Sequence, residues 1–292
     1  VLTVVFATRD RADALPRVLD AFAALLPPPG GWRLVVVDNG SADGTARVLE
    51  ANAARLPLVA EHEPVPGKNR ALNRGLGRIE GGLAVLTDDD VLPDRDWLVR
   101  MARAAADHPG ATMLAGAIRP EWPGPLPSWL DPARLDFGVL YSELSLPAGP
   151  CGPDHVWGPN MAVRADVFRA GVRFAEDVGP DASRSAYAMG SETELVRRLA
   201  AAGHAARFVP EAAVRHIVRP EQVTVEWVLE RAYRYGLGYA GDPAHLLALR
   251  RTVYGLAAPA AAILPPTPLS VAVRYKARWL AGIADAARSR AA

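Results

Sequence analysis

Leu83-Ala84-Val85-Leu86-Thr87-Asp88-Asp89-Asp90-Val91-Leu92-Pro93 sets a short apolar run directly against three carboxylates. A run of this length, bounded by polar residues, reads as a buried strand with its polar end turned toward a ligand. The layout occurs twice upstream. Val1 to Ala7 runs into Thr8-Arg9-Asp10, and Leu34 to Val37 runs into Asp38-Asn39-Gly40-Ser41. Stretches with helical spacing lie between: Asp13 to Leu26, stopped by Pro27-Pro28-Pro29-Gly30, then Ala42 to Arg55, then about Lys68 to Ile79 after a weak strand at Leu58 to Ala60. Strand and helix alternating in this way predict βαβ units, a mainly parallel sheet and an α/β fold.

Beyond the carboxylates the pattern predicts a helix over Asp96 to Asp107 and extended chain over Thr112 to Ile118. Pro120 to Pro150 is irregular and Trp-bearing, the kind of long excursion that serves as a lid or a functional loop. Trp157 to Val163 reads as a return to the sheet, Glu192 to Ala202 as a helix ended by Gly203, and Ala206 to Val209 as a late strand. From Val225 the spacing is helical. The expected organisation is therefore an α/β domain over residues 1–220 and a C-terminal helical extension over 221–292.

Composition narrows the function. Half of the 292 residues are hydrophobic and 22% are charged, ample for a core and incompatible with intrinsic disorder. A formal net charge of +1 is too balanced for a nucleic-acid coat, so no nucleic-acid partner is expected. Cys151 is the single cysteine, which excludes an intramolecular disulfide and a cysteine-built zinc site and fits a reducing cytoplasm. Val1 stands inside the first apolar run, without the flanks of a signal peptide, and reads as following a lost initiating segment. Leu256 to Leu264, interrupted by Pro259, is too short to span a bilayer.

Ligands of open α/β sheets bind beyond the carboxyl ends of the strands. The first strand is followed by Ala7-Thr8-Arg9-Asp10-Arg11 in place of a glycine-rich turn, which argues against a nicotinamide or flavin enzyme, and no phosphate-binding loop for ATP hydrolysis is present. Asp38 is placed either to accept hydrogen bonds from a ribose or base or to cap its own turn. Asp88, Asp89 and Asp90 repel one another unless a divalent cation neutralises them; the other reading is a solvated acidic turn. An oxygen-rich site suits Mg²⁺, and an added imidazole tilts it toward Mn²⁺.

Together, Val4 to Arg11, Val35 to Thr45 and Leu86 to Pro93 resemble family 2 glycosyltransferases, with the resemblance extending over about residues 1–220. It implies a GT-A fold, a UDP-, GDP- or dTDP-sugar donor, a divalent metal and inversion at the anomeric carbon. On this resemblance Thr8, Arg9 and Asp10 face the nucleotide, Asp38 contacts base or ribose, and Asp88 and Asp90 form the D-x-D pair around Asp89. Asp90 would ligate the metal, with Asp88 toward the ribose or the metal's water. Gly67 to Gly75, bearing Lys68 and Asn73, looks like the donor-side helix start; the other reading of Lys68 is a solvated surface lysine.

Gly158 to Arg164 resembles the family's sugar and acceptor segment, which makes Asn160 and the preceding Trp157 pocket candidates. Trp122 and Trp129 are further candidates to close the pocket, with core packing the other reading for each tryptophan. Gly190-Ser191-Glu192-Thr193-Glu194 looks like the catalytic acidic motif, departing from it with Ser191 where the family has an acid. Glu192 takes the position of the base that accepts the acceptor hydroxyl's proton, with Glu194 as its rival. Both would otherwise serve only to favour a helix N-terminus. His216 matches a histidine that can complete the metal's coordination, its other reading being a packed side chain.

The single glutamine, Gln222, begins no Gln-x-x-Arg-Trp block of the polysaccharide synthases, so transfer of one sugar to a glycan, lipid-linked or small-molecule acceptor is expected. From Pro268 onward Arg274, Lys276, Arg278, Arg288 and Arg290 face one acid, Asp285, with Trp279 and Leu280 among them. This reads either as an amphipathic helix on the inner face of an anionic membrane or as a packed helix with a basic solvated side. Two competing functions share much of this pattern. A sugar nucleotidyltransferase would need an Arg-bearing glycine-rich loop after strand one, which is missing, and a silent nucleotide-sugar-binding scaffold is suggested only by Ser191.

Overall fold

The computed structural model describes residues 1–180, 189–239 and 244–291, with side chains described outside 244–249 and 289–291. The elements follow the expected alternation: β1 (Leu2–Thr8), α1 (Leu15–Ala23), β2 (Trp32–Asp38), α2 (Thr45–Asn52), β3 (Leu58–His62), α3 (Lys68–Leu76) and β4 (Leu83–Leu86). After the carboxylates come β5 (Val91–Pro93), α4 (Trp97–Asp107), β6 (Ala111–Glu121), α5 (Phe137–Tyr141), β7 (Gly149–Cys151), β8 (Met161–Arg164) and α6 (Ala165–Arg169). The chain closes with α7 (Ser191–Ala201), β9 (Ala205–Ile217), α8 (Val225–Gly238), α9 (Ala244–Ile263) and α10 (Pro268–Ala291).

Among the described residues the strands form one nine-stranded sheet in the order β3-β2-β1-β4-β8-β6-β9-β5, with β7 beside β9. β3, β2, β1 and β4 are parallel, joined by α1, α2 and α3. β8 runs antiparallel to β4 and β6, and β9 antiparallel to β5 and β7. The reason for the parallel half is visible in β1 and β2. Val4, Val5 and Phe6 and Leu34 to Val37 have no solvent exposure, because helices cover both faces. Gly75 lets α3 come close: a Cβ there would lie 2.6 Å from Val5 Cγ1 and 3.0 Å from Val37 Cγ2.

The chain divides into two compact units. The first takes the described residues 1–120, 144–180 and 191–217, and its core is the sheet with its helices. The second takes 121–143, 189–190, 218–239 and 244–291, with a core around Trp129, Phe137, Tyr141, Val228, Val271 and Tyr275. The stretch expected to be irregular thus carries the extension of β6 and the short helix α5, whose N-cap Asp136 accepts from Val139 N. Trp122 lies 4.7 Å from the Tyr141 ring and Trp129 is 9% exposed, so both serve the second unit's core instead of closing a sugar pocket.

α10 packs within the second unit. Leu280 is buried, and Trp279 packs edge-on against Tyr239 at 5.1 Å, so its apolar face is spent within the second unit. Arg278 pairs with Glu230 and Arg288 with Asp285. Arg290 lies outside the residues whose side chains are described. No helix of the described residues is long and apolar enough to cross a membrane.

Candidate active site

The parallel register brings the carboxyl ends of β1, β2 and β4 together. Thr8 stands opposite Asp38, and Val5 opposite Leu86, two residues before the three carboxylates. Each polar end is then fixed by local chemistry. Asp38 Oδ1 accepts from Ser41 N at 2.9 Å, closing the turn that Gly40 makes possible with a φ of 70°. Asp10 adopts a φ of 50° and is held there by Ser41 Oγ on its amide and Ala42 N on its carboxylate.

Asn39, which the sequence places with Asp38 at a polar strand end without a role of its own, organises the next loop. Its Nδ2 donates to Glu63 O and Val65 O, and its Oδ1 accepts from Gly67 N at 2.9 Å. Gly67 has a φ of 139°, open only to glycine, and the chain enters α3 at Lys68 directly after it. Lys68 is thereby aimed across the strand ends. Its Nζ lies 2.7 Å from Asp88 Oδ1 and 2.8 Å from Glu192 Oε1. The three side chains are 22%, 20% and 19% exposed, shielded enough to strengthen the charges yet open to a ligand.

Burial alone would make the Lys68 ammonium easier to deprotonate, but Asp88 and Glu192 outweigh it and hold its pKa well above the ordinary lysine value. Burial pushes Asp88 up, opposed by Lys68 and reinforced by Glu192 and Asp90. Asp89 turns the other way, accepting from Thr8 Oγ1 at 2.8 Å and Arg11 Nε at 3.3 Å. Burial and the neighbouring Asp90 raise its pKa to about 6 against the pull of Arg11 and Thr8. The adjacent carboxylates therefore point to different partners, which offset part of the repulsion within the run.

Asp90 has a third environment. β5 pairs with β9 so that Val91 faces His216, and Ile217 N donates to Asp90 O at 2.8 Å. This sets His216 Nε2 3.3 Å from Asp90 Oδ1, with the side chains 12% and 17% exposed. Among the described residues no group of three or more His, Cys, Asp or Glu side chains is arranged to hold a metal. The pair supplies one carboxylate and one imidazole, a donor set that suits a divalent cation completed by ligand phosphates and water.

Glu192 sits in the first turn of α7, and its carboxylate occupies the space that a side chain at residue 158 would fill. A Cβ at Gly158 would lie 2.6 Å from Glu192 Cδ. The arrangement is two carboxylates, Asp88 and Glu192, held by one ammonium, a third carboxylate, Asp90, beside an imidazole, and a polar shelf of Arg9, Asp10 and Asp38. Arg9 Nη1 is buried without a hydrogen-bond partner, a donor set at the shelf for an anionic or carbonyl acceptor.

The sequence pattern of Glycosyl transferase family 2 matches residues 3–171, the stretch that contains β1 to β8 and the three carboxylates. The chain belongs to glycosyl transferase family 2. An uncharacterized glycosyltransferase of Mycobacterium tuberculosis, Rv0539, is 30% identical over 206 residues, 69% of this chain and 80% of that protein. The succinoglycan biosynthesis protein ExoM of Rhizobium meliloti is 25% identical over 231 residues, 77% of this chain and 70% of its own length. The mannosyltransferase PcManGT of Pyrobaculum calidifontis, solved with GDP-Man and Mn²⁺, superposes with a TM-score of 0.64 at 22% identity, covering 99% of this chain and 86% of that one. TarS 1-349 of S. aureus with UDP-GlcNAc gives 0.58 at 13% identity, covering 99% and 92%. The fold is GT-A, and the chain is a glycosyltransferase.

Within this family 2 glycosyltransferase several expected pocket residues do other work. Asn160 is fully buried: its Oδ1 accepts from Trp97 Nε1, and its Nδ2 donates to Ala117 O and Ala212 O. It ties α4, β6 and β9 together. Asn73 clamps the loop after α6, accepting from Phe174 N and donating to Phe174 O. Glu194 is paired with Arg198 one helical turn on, at 3.0 Å. Trp157 donates through Nε1 to Asp154 O, and its ring packs partly against the core.

Proposed function

We propose that this glycosyltransferase moves a single sugar from a nucleoside-diphosphate sugar to an acceptor hydroxyl with inversion at the anomeric carbon. The observation that carries the reading is Glu192: a shielded carboxylate fixed by Lys68 and given room by Gly158, on the same sheet edge as Asp90 and His216. GDP-Man with Mn²⁺ and UDP-GlcNAc, bound by proteins of this fold, support a nucleotide-sugar donor. The acceptor class is glycan, lipid-linked or small-molecule, in line with ExoM's role in succinoglycan biosynthesis.

In this reading Arg9, Asp10 and Asp38 orient the nucleotide over the strand ends. Asp90 and His216 would hold Mn²⁺ or Mg²⁺, which when bound offsets negative charge on the departing diphosphate. Lys68 holds Glu192 in one rotamer and sets a positive charge between Glu192 and Asp88. Glu192 accepts the proton of the acceptor hydroxyl as that oxygen bonds to the anomeric carbon from the face opposite the leaving group. Asp88 lies on the far side of Lys68, toward the donor.

The test is a donor panel of UDP-, GDP- and dTDP-sugars with Mn²⁺ or Mg²⁺ and a mixture of simple glycoside acceptors, read by nucleoside-diphosphate release. The anomeric configuration of the product follows from its proton NMR coupling. Release of one diphosphate with a β-linked product from an α-linked donor supports the reading; retained configuration or release of pyrophosphate overturns it.

A further inference from the structure

We propose that the turn joining α9 and α10 is a docking surface for an anionic phospholipid bilayer. The largest exposed apolar side chains of the second unit gather there. Val253, Leu256 and Ile263 on α9 are 55%, 77% and 87% exposed, and Leu264 and Leu269 in and after the turn are 58% and 60% exposed. Val253, Leu256, Ala260 and Ile263 recur at i, i+3, i+7 and i+10, which places them along one side of the helix. Leu264-Pro265-Pro266 continues that side into the turn, where the prolines keep the backbone short of hydrogen-bond donors. A solvated helix has no use for such a stripe, and contiguous exposed apolar surface marks a contact.

Charge selects the occupant. Residues 244–284 contain five basic and no acidic side chains: Arg250, Arg251, Arg274, Lys276 and Arg278. Arg278 is answered by Glu230 of α8. Lys276 is exposed and stands seven residues after Leu269, on the same side of α10, with its Nζ 5.3 Å from the Trp279 ring. A second copy of the chain, meeting this patch face to face, would bring Lys276 against a surface that offers no acid, since residues 244–284 contain none. An anionic headgroup layer meets the basic side chains with opposite charge while its acyl boundary takes the leucines and isoleucine, the combination by which interfacial helices bind. The contact is to a bilayer surface: the apolar side is one stripe of α9, and no helix of the described residues is long and apolar enough to cross a membrane. This moves the expected membrane contact from α10, whose Tyr275 and Leu280 are buried, to the turn before it.

The experiment is flotation of the 292-residue chain with phosphatidylcholine vesicles, with and without about one-third phosphatidylglycerol, at low and high salt. The chain is expected to float with the anionic vesicles at low salt and not with the neutral ones. The triple variant Leu256→Ser, Ile263→Ser, Leu264→Ser lowers the bound fraction about tenfold or more and Lys276→Glu about fivefold or more, at unchanged thermal midpoint because all four side chains are exposed. Absence of flotation by the unaltered chain overturns the proposal, as does flotation of the triple variant equal to that of the unaltered chain. A lipid-free dimer in sedimentation velocity that the triple variant converts to monomer, without flotation, assigns the patch to a second copy and also overturns it.

Discussion

Lys68 Nζ and Glu192 Oε1 stand 2.8 Å apart although 124 residues separate them in the chain. The contact joins the first turn of α3 to the first turn of α7, and Asp88 completes it from the end of β4. Removing the ammonium leaves two carboxylates facing each other in a shielded pocket. Lys68→Met is expected to lower kcat about 100-fold, with a smaller change in KM for the donor, and to cost about 1–3 kcal/mol of stability. Lys68→Arg recovers part of kcat if holding Glu192 is the role. Steady-state kinetics with a chemical-denaturation curve for each variant checks both.

Glu192→Gln keeps the size of the side chain and its hydrogen bond to Lys68 while removing the proton acceptor. Transfer should fall by about 10²–10⁴, and affinity for the nucleoside diphosphate should stay within twofold or so of the unaltered protein. Calorimetric titration with the diphosphate alongside the transfer assay separates the two. Equal losses in binding and in transfer would remove Glu192 from the role of base.

Asp90 and His216 should matter only where the cation does. Mn²⁺ with the matching nucleoside diphosphate is expected to raise the thermal midpoint, by an amount corresponding to about 2.7 kcal/mol at a ligand concentration 100 times Kd. EDTA, Asp90→Ala and His216→Ala each abolish that shift and leave the ligand-free midpoint nearly in place. A diphosphate shift that persists in EDTA would take the cation out of the site.

Asn160 tests the distinction between pocket and core. Asn160→Leu strands the Trp97 indole N–H and two carbonyls, Ala117 O and Ala212 O, in a region without solvent exposure. A stability loss of about 2–5 kcal/mol is expected in urea unfolding. A variant as stable as the unaltered protein with altered sugar preference would instead return Asn160 to the sugar pocket.

The residues differ in how readable they were. The apolar runs that end at Thr8, Asp38 and Asp88 are local patterns, and each strand and its polar tip lie within a few residues of one another. Asn39 carried a signal in the Asp38-Asn39-Gly40 turn, but its role depends on Glu63, Val65 and Gly67, which a turn motif does not reveal. Asn160 stood in a family-like segment beside Gly158, and only the approach of Trp97, Ala117 and Ala212 shows where its amide is used. Trp122 and Trp129 belong to a second core that brings residues 121–143 to the C-terminal helices, a pairing across about 100 residues that no periodicity encodes.

The sequence by itself determined the α/β class, the parallel first half of the sheet, the carboxylates at the strand ends and the membership in a glycosyltransferase family. Those follow from hydrophobic periodicity and short motifs, whose physical causes act within one element. Tertiary structure decided which carboxylate meets which cation. Asp88 goes to Lys68, Asp89 to Arg11 and Thr8, and Asp90 to His216, because the strand register, the left-handed Gly67 and the missing Cβ of Gly158 aim side chains from distant segments into one small volume. Three consecutive aspartates are identical as letters; their environments, set by partners 20 to 126 positions away from them in the chain, are what make them different.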